Sequence, residues 1–180
     1  MADRTEPQRQ DLESALNDVL KRESSVYRII NGMVVPISDD SELNAIDLAL
    51  GDRPGPVRTH LASALSLLSD REFPDYRNSM KESISAVEAM CKQISKKPST
   101  TLKAALDAVS PRIKVNHNLQ HGFKNLYDYT SGADGIRHAL TEEPTVDSED
   151  ALFMLVSCSA FVNYLTVKAT KAGIDVTEAL

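Results

Sequence analysis

The sequence predicts a mostly α-helical protein, a helical bundle with one short β-hairpin near its N-terminus. Apolar residues recur every three or four positions through most of the chain, which is the helical period. The exception is Asn31-Gly32, which separates two β-branched runs and tolerates the positive φ angles of a tight two-residue turn. With 180 residues, the chain is long enough for one domain. We expect a bundle over residues 39–180, preceded by a helix and hairpin extension over residues 1–38.

The N-terminal extension begins with an amphipathic helix predicted over residues 8–22. Its single apolar stripe needs a partner surface. Two strands, residues 26–30 and 33–37, are expected on either side of the turn. Pro36 has no N–H to donate, so the second strand should lie at a sheet edge, and so small a hairpin must pack on helices to be stable.

The bundle is predicted as a series of helices separated by Gly, Pro and capping residues. Asp39 and neighbouring residues can cap the first of them, and Asp147 or Ser148 can cap the last. We expect that last helix to be the most buried element, because its apolar positions leave almost no polar face. A loop is expected over residues 129–135. The predicted helices cover residues 39–50, 57–68, 75–95, 101–109 (ending before Pro111), a segment starting near 118, and 148–168.

Composition and charge limit the function classes. A formal net charge of −6 opposes a broad nucleic-acid surface, because phosphate binding depends mainly on clustered Lys and Arg. The first residues lack the apolar stretch of a secretion signal, and the longest apolar run, residues 151–165, is shorter than the roughly 20 residues of a membrane span. We therefore expect a cytoplasmic protein without a membrane partner. Cys91 and Cys158 have no metal-ligand or redox spacing and should be buried free thiols.

Polar chemistry is concentrated in two places. The helix predicted from residue 75 carries a polar stripe opposite its apolar face. The second place is the pair Arg137 and His138, which follows a glycine-containing loop; the histidine can exchange protons near neutral pH and the arginine can bind phosphate. The stripe is either a solvated face with pairs such as Asn78 and Glu82 four residues apart, or one half of a site that the loop pair completes. The loop pair is either that second half or an anchor for Asp134 or another carboxylate. The stripe consists of Arg77, Asn78, Lys81, Glu82, Ser85 and Glu88, and the loop pair of Arg137 and His138.

A metal or cofactor site has little support. His117 and His121 lie four residues apart, which places them on one side of a helix and supplies half of a metal site. No Glu or Cys nearby completes it. The chain has neither a glycine-rich phosphate loop nor a dinucleotide fingerprint. We expect no metal and no cofactor.

Four helical segments carry a resemblance to known proteins: YRNSMKESISAVE (76–88), LYDYTS (126–131), GIRHAL (135–140) and MLVSCSAFVNYL (154–165). They resemble one bacterial family, the C-terminal helical part of AbiJ-like abortive-infection proteins. Residues 27–37 are similar to the hairpin that precedes that helical part, so the resemblance spans roughly residues 15–175. Such proteins usually carry a further N-terminal domain, so this chain looks like either a stand-alone relative or a truncated copy.

The helical part of that family is similar to HEPN domains, helical bundles that commonly dimerise and often act as ribonucleases in phage defence. HEPN ribonucleases carry an Arg and a His on one helix, separated by about four to six intervening residues, and their dimers cut RNA without a metal. Residues 131–133 are Ser, Gly and Ala, so only the adjacent Arg137 accompanies His138. The two formal matches elsewhere, Arg53 with His60 and Arg112 with His117, are weak evidence in a chain of this composition.

The resemblance implies a homodimerising interaction module of an antiviral system, with a degenerate nuclease site. The alternative is a metal-independent ribonuclease, in which His138 is the general acid–base group and Arg137 holds the scissile phosphate. Asn78 and Glu82 would then orient these groups, and Arg77 would be a second phosphate contact. The expected partner is a second copy of the chain, together with a partner protein or RNA. A small-molecule sensor is a third class of function, but no motif in the sequence indicates it.

Overall fold

The computed structural model describes residues 5–37, 39–51, 53, 55–97, 101–131 and 146–176. Within them the chain forms seven helices and a two-stranded antiparallel hairpin, which confirms the predicted mostly helical class. The elements are α1 (Thr5–Arg22), β1 (Arg28–Ile30), β2 (Met33–Val35), α2 (Asp40–Leu50), α3 (Gly55–Ser69), α4 (Tyr76–Ser95), α5 (Leu102–Ile113), α6 (His117–Ser131) and α7 (Ser148–Lys171).

The hairpin forms around the predicted turn. Asn31 and Gly32 both have positive φ, +51° and +77°, as a tight two-residue turn requires. Pairing runs from Ile30 opposite Met33 to Arg28 opposite Val35. The strands are shorter than predicted because pairing stops beside Pro36, which has no N–H to donate. The buried side of the hairpin belongs to the same hydrophobic core as the helices, through Ile30, Val35 and Ile37.

Helix α1 is attached to the hairpin by a polar contact. The Asn17 side chain donates to the Ile29 carbonyl and accepts from the Ile29 N–H, both at 2.7 Å. A polar side of α1 therefore faces the rest of the protein. Most of the predicted apolar stripe faces the other way: Leu12, Leu16 and Val19 are exposed, and Leu20 is half-buried.

Helix α4 lies at the centre of the bundle, with α3, α5 and α7 packed around it. Eleven of its 20 residues are buried, whereas only nine of the 24 residues of α7 are. The prediction that the last helix is the most buried element is thus wrong. Its Leu155 and Val162 are fully buried, but Phe153 is 59% exposed. The reason is that the described neighbouring helices bury one side of α7 and cover its other side only in part.

Two helix ends differ from the predictions. Helix α5 continues through Pro111 and ends at Ile113, and the following residue, Lys114, adopts a left-handed conformation. A proline in the last turn removes only the bond to the carbonyl four residues earlier, so the helix need not stop before it. Helix α6 runs to Ser131, so the first residues of the predicted 129–135 loop are helical, and residues 132–135 lie outside the described part. The predicted caps Asp39 and Asp147 are confirmed.

Among the described helices, α7 alone is long and apolar enough, by length and composition, to cross a membrane. Its inner side packs against α2, α3, α4 and α5 and contributes Met154, Cys158 and Leu165 to the hydrophobic core. This side fits the prediction of a core helix, since core helices of soluble proteins reach the same apolar content.

Candidate functional site

The candidate site begins on α4, which follows Pro74 and is capped by Asp75. The Asp75 side chain accepts a hydrogen bond from the backbone N–H of Asn78 at 2.9 Å and so fixes the first turn. The predicted apolar face of this helix is confirmed, because all five of its members are buried in the core: Met80, Ile84, Val87, Cys91 and Ile94. Burial of this face determines which side of α4 carries the polar stripe.

Asn78 is bonded to its neighbours on the same helix. Its amide nitrogen donates to the Asp75 carboxylate at 2.6 Å, and its amide oxygen accepts from Lys81 Nζ at 3.0 Å. The predicted pair of Asn78 with Glu82 is therefore wrong. Asp75 lies only three residues before Asn78, and as the capping residue it already points at this turn.

Glu82 is bonded to a residue that sequence reasoning did not place in the site. His60 on α3 lies with its Nδ1 atom 2.7 Å from Glu82 Oε2, and both side chains are about one-third exposed, 36% and 33%. The pair joins α3 to α4 at the most extensive helix contact of the bundle. No local pattern identifies this partner, because it depends on how the two helices pack.

Arg77 is the member of the stripe without a described partner. It is partly buried, and its Nε atom is inaccessible to solvent and has no hydrogen bond within the described part of the chain. Buried donors without partners are uncommon in proteins. Arg77 Nε thus has hydrogen-bonding capacity left for another molecule or for a residue outside the described part of the chain.

Arg137 and His138 lie outside the described residues. Their predicted contact with Arg77, Asn78 or Glu82 stays a prediction. Of the site that the stripe and the loop pair would form together, the structure describes only the stripe. There Asn78 and Glu82 are each bonded to neighbouring residues, and Arg77 Nε has no described partner.

The two formal Arg and His matches do not form Arg–His pairs. Arg53 donates to the Asn163 side chain at 3.0 Å, and His60 is bonded to Glu82. Arg112 donates to the Ile94 carbonyl at 2.6 Å, which ties the end of α5 to α4. These residues make structural contacts with other parts of the bundle. Neither match therefore forms the arginine–histidine pair of HEPN ribonucleases.

The exposed rings of His117 and His121 lie on one side of α6 with centroids 6.3 Å apart. In the part of the chain that the structure describes, no three metal-binding side chains converge. Cys91 and Cys158 are buried free thiols, as predicted. Burial raises the pKa of each thiol to about 12, and the Glu88 charge adds to the effect on Cys91, so both are neutral and unreactive at neutral pH.

Fold and site together define a mostly helical bundle with an N-terminal hairpin and a polar, internally bonded α3–α4 surface. No family model matches the chain, and neither a curated protein nor a solved structure does. The resemblance to AbiJ-like proteins therefore stays a prediction and enters below as a proposal.

Proposed function

We propose that the chain is a HEPN-like helical module of a bacterial abortive-infection system. In this proposal it is a cytoplasmic, homodimerising interaction domain whose nuclease site is degenerate. The family and the antiviral role in this proposal rest on the sequence resemblance. The degenerate site rests on the bonding of the α4 stripe, in which Glu82 is joined to His60 and Asn78 to Asp75 and Lys81. Groups held in this way stabilise the α3–α4 contact and are less free to orient a reacting phosphate.

The negative net charge of the chain also favours an interaction domain over an RNA-binding enzyme. The net charge is −6, whereas non-specific RNA binding depends on a positive surface. A protein partner is not subject to this limit. We propose that the partner is a second copy of the chain, with a further protein of the antiviral system as another partner.

The second candidate is a metal-independent ribonuclease that uses Arg137 and His138, with Asn78 and Glu82 as orienting groups. One observation favours it, namely that Arg77 on α4 has a buried guanidinium nitrogen without a described hydrogen-bond partner. Such a cation is suited to a phosphate oxygen. In this version Arg77 binds the substrate, as the sequence predicts.

An RNA-cleavage assay with EDTA present separates the two candidates. The natural chain, His138→Ala and His121→Ala are incubated with total bacterial RNA. His121→Ala is the matched control, because that histidine is exposed on α6. We expect no cleavage by any of the three proteins. Cleavage by the natural chain and the control, but not by His138→Ala, would contradict the interaction-domain proposal and support the ribonuclease.

The antiviral role is tested separately, by plating phage on bacteria that express the natural chain alone or with its neighbouring genes. We expect fewer plaques for at least some phages when the whole system is present, and loss of that effect when this chain is deleted. Unchanged plaque numbers across a broad phage panel would contradict the antiviral role. They would not bear on whether the chain forms a dimer, which is tested separately.

A further inference from the structure

Helix α7 carries a second apolar face that the described neighbouring residues cover only in part. Val156 and Tyr164 on this face are half-buried against the core, whereas the other apolar members are exposed. Its nine buried residues point toward the neighbouring helices, and the residues on the opposite side recur every three or four positions. Phe153 is 59% and Val167 53% exposed, and Ala160 between them is exposed as well. We call this face the outer stripe of α7; it consists of Glu149, Phe153, Val156, Ala160, Tyr164, Val167 and Lys171.

We propose that the outer stripe of α7 pairs with the same stripe of a second copy, antiparallel, with the two-fold axis passing beside Ala160. The inference rests on the proposed homodimer and names its interface. An isologous interface of this kind requires a surface that is complementary to itself under a two-fold rotation.

The order of residues along the outer stripe meets that requirement. Phe153 and Val167 lie seven positions on either side of Ala160, and Glu149 and Lys171 lie eleven positions on either side. In an antiparallel pair each residue therefore faces its counterpart: Phe153 meets Val167 of the second copy, and Glu149 meets Lys171 of the second copy. Apolar residues meet apolar ones and opposite charges meet at both ends.

The charges select this orientation over the parallel one. Parallel pairing would bring Glu149 against Glu149 and Lys171 against Lys171, and like charges in contact disfavour a complex. The small Ala160 side chain at the axis allows the two helices to approach closely. At a rise of about 1.5 Å per residue the stripe is about 33 Å long, enough for a continuous helix–helix contact.

The outward stripe of α1 is the competing surface and is less suited to self-pairing. Its exposed apolar residues extend only from Leu12 to Val19, about 11 Å of helix. The cation on the same side, Arg9, is neutralised by Glu13 of its own chain. On α7, Glu149 accepts a hydrogen bond from the Ser148 hydroxyl, but no described cation neutralises its charge. The longer and charge-matched stripe on α7 is therefore the one that we assign to the dimer.

Sedimentation equilibrium of the full chain and single-residue variants tests the assignment. We expect the natural chain to be a dimer and Ala160→Glu to weaken dimerisation about 100-fold or more, because it places two carboxylates together at the axis. The controls are Leu48→Glu, at a 62% exposed position of α2, and Leu16→Glu on α1, which should both remain dimers. Circular dichroism checks that each variant is folded.

Charge exchange tests the orientation. Glu149→Lys and Lys171→Glu should each weaken the dimer, about tenfold, by replacing attraction at both ends with repulsion. The double variant should recover most of the natural affinity, because antiparallel pairing again joins opposite charges. In a parallel pair the double exchange would keep like charges together and bring no recovery.

The outcomes distinguish this inference from the proposed function. A natural chain that stays monomeric in sedimentation equilibrium would overturn both the dimer and its interface. A natural dimer that Ala160→Glu leaves intact would overturn the α7 interface alone. If Leu16→Glu dissociates that dimer, the interface belongs to α1.

Discussion

The contact between His60 and Glu82 gives a direct test of whether the α4 stripe is structural. We consider a double-mutant cycle made of His60→Ala, Glu82→Ala and the variant with both changes. If the two side chains stabilise the α3–α4 contact through their 2.7 Å bond, each single variant loses that bond and the double variant loses it only once.

The geometry sets the size of the expected coupling. A hydrogen bond to a charged group contributes about 1.5–3 kcal/mol where it is protected from water. Both side chains of this pair are about one-third exposed, 36% and 33%, so solvent screening lowers the figure. We expect a coupling free energy of about 1 kcal/mol, and a fall of about 2–4 °C in melting temperature for a single variant of a protein of this size.

Urea denaturation followed by circular dichroism measures the four free energies of unfolding. The matched control cycle combines Glu82→Ala with His121→Ala, an exposed histidine on α6, and should be additive. A His60–Glu82 coupling below about 0.3 kcal/mol, the size of ordinary non-additivity, would refute the structural role of Glu82. The proposed degenerate site would then lose its main support.

Three further predictions concern stability and reactivity. Asn17→Ala removes two bonds to the hairpin, so native-state hydrogen exchange should show the opening of α1 made easier by about 1–3 kcal/mol, and unchanged protection would contradict the polar attachment. Leu106→Ala in the core should cost about 2–5 kcal/mol in urea denaturation, whereas Leu48→Ala, 62% exposed, should stay within about 0.5 kcal/mol. The pKa values of Cys91 and Cys158 rise from an ordinary 9.0 to about 12, so the stability linked to them is complete below pH 9 and is lost as pH rises toward 12. Unfolding measured across that range checks the sign, and rapid reaction of native thiols with an aromatic disulfide at pH 8 would contradict their burial.

The parts of the fold that depend on a few neighbouring residues could be predicted from the sequence. The Asn31-Gly32 turn follows from the φ angles that these residues tolerate, and the caps Asp39 and Asp147 follow from side chains that accept backbone N–H bonds. The end of α5 could not be predicted in this way. Pro111 marks the place where helix propensity falls, but in a last turn the penalty is small enough for the helix to continue.

The candidate site depends on tertiary packing, and the sequence located only part of it. The helical period identified the polar side of α4 correctly. It also suggested that Asn78 and Glu82 contact each other, since they lie four residues apart. In the structure the nearer Asp75 binds the Asn78 side chain, and Glu82 meets His60, 22 residues earlier. Which residue of α3 faces Glu82 is decided by the packing of two helices, and a single sequence has no local signal for that.

The two sides of α7 show why a broad apolar face can predict burial without predicting the partner. A helix in a monomeric bundle needs apolar residues only toward its neighbours, and α7 meets that need with the side that includes Met154, Cys158 and Leu165. The remaining side would be expected to carry charges, because exposed apolar stripes reduce solubility.

On that remaining side the outer stripe carries charge only at its ends. Five consecutive members between Glu149 and Lys171 are alanine, aliphatic or aromatic. Their sequence order is symmetric about Ala160 in both apolar character and charge. The end charges also suit the helix dipole, which favours Glu149 in the first turn and Lys171 in the last turn. The exposed apolar residues between these charges gain nothing from the dipole, and contact with a second antiparallel copy would bury them against each other. The apolar pattern that predicted a fully buried helix would then serve two interfaces, the observed one within the bundle and the proposed one between two copies.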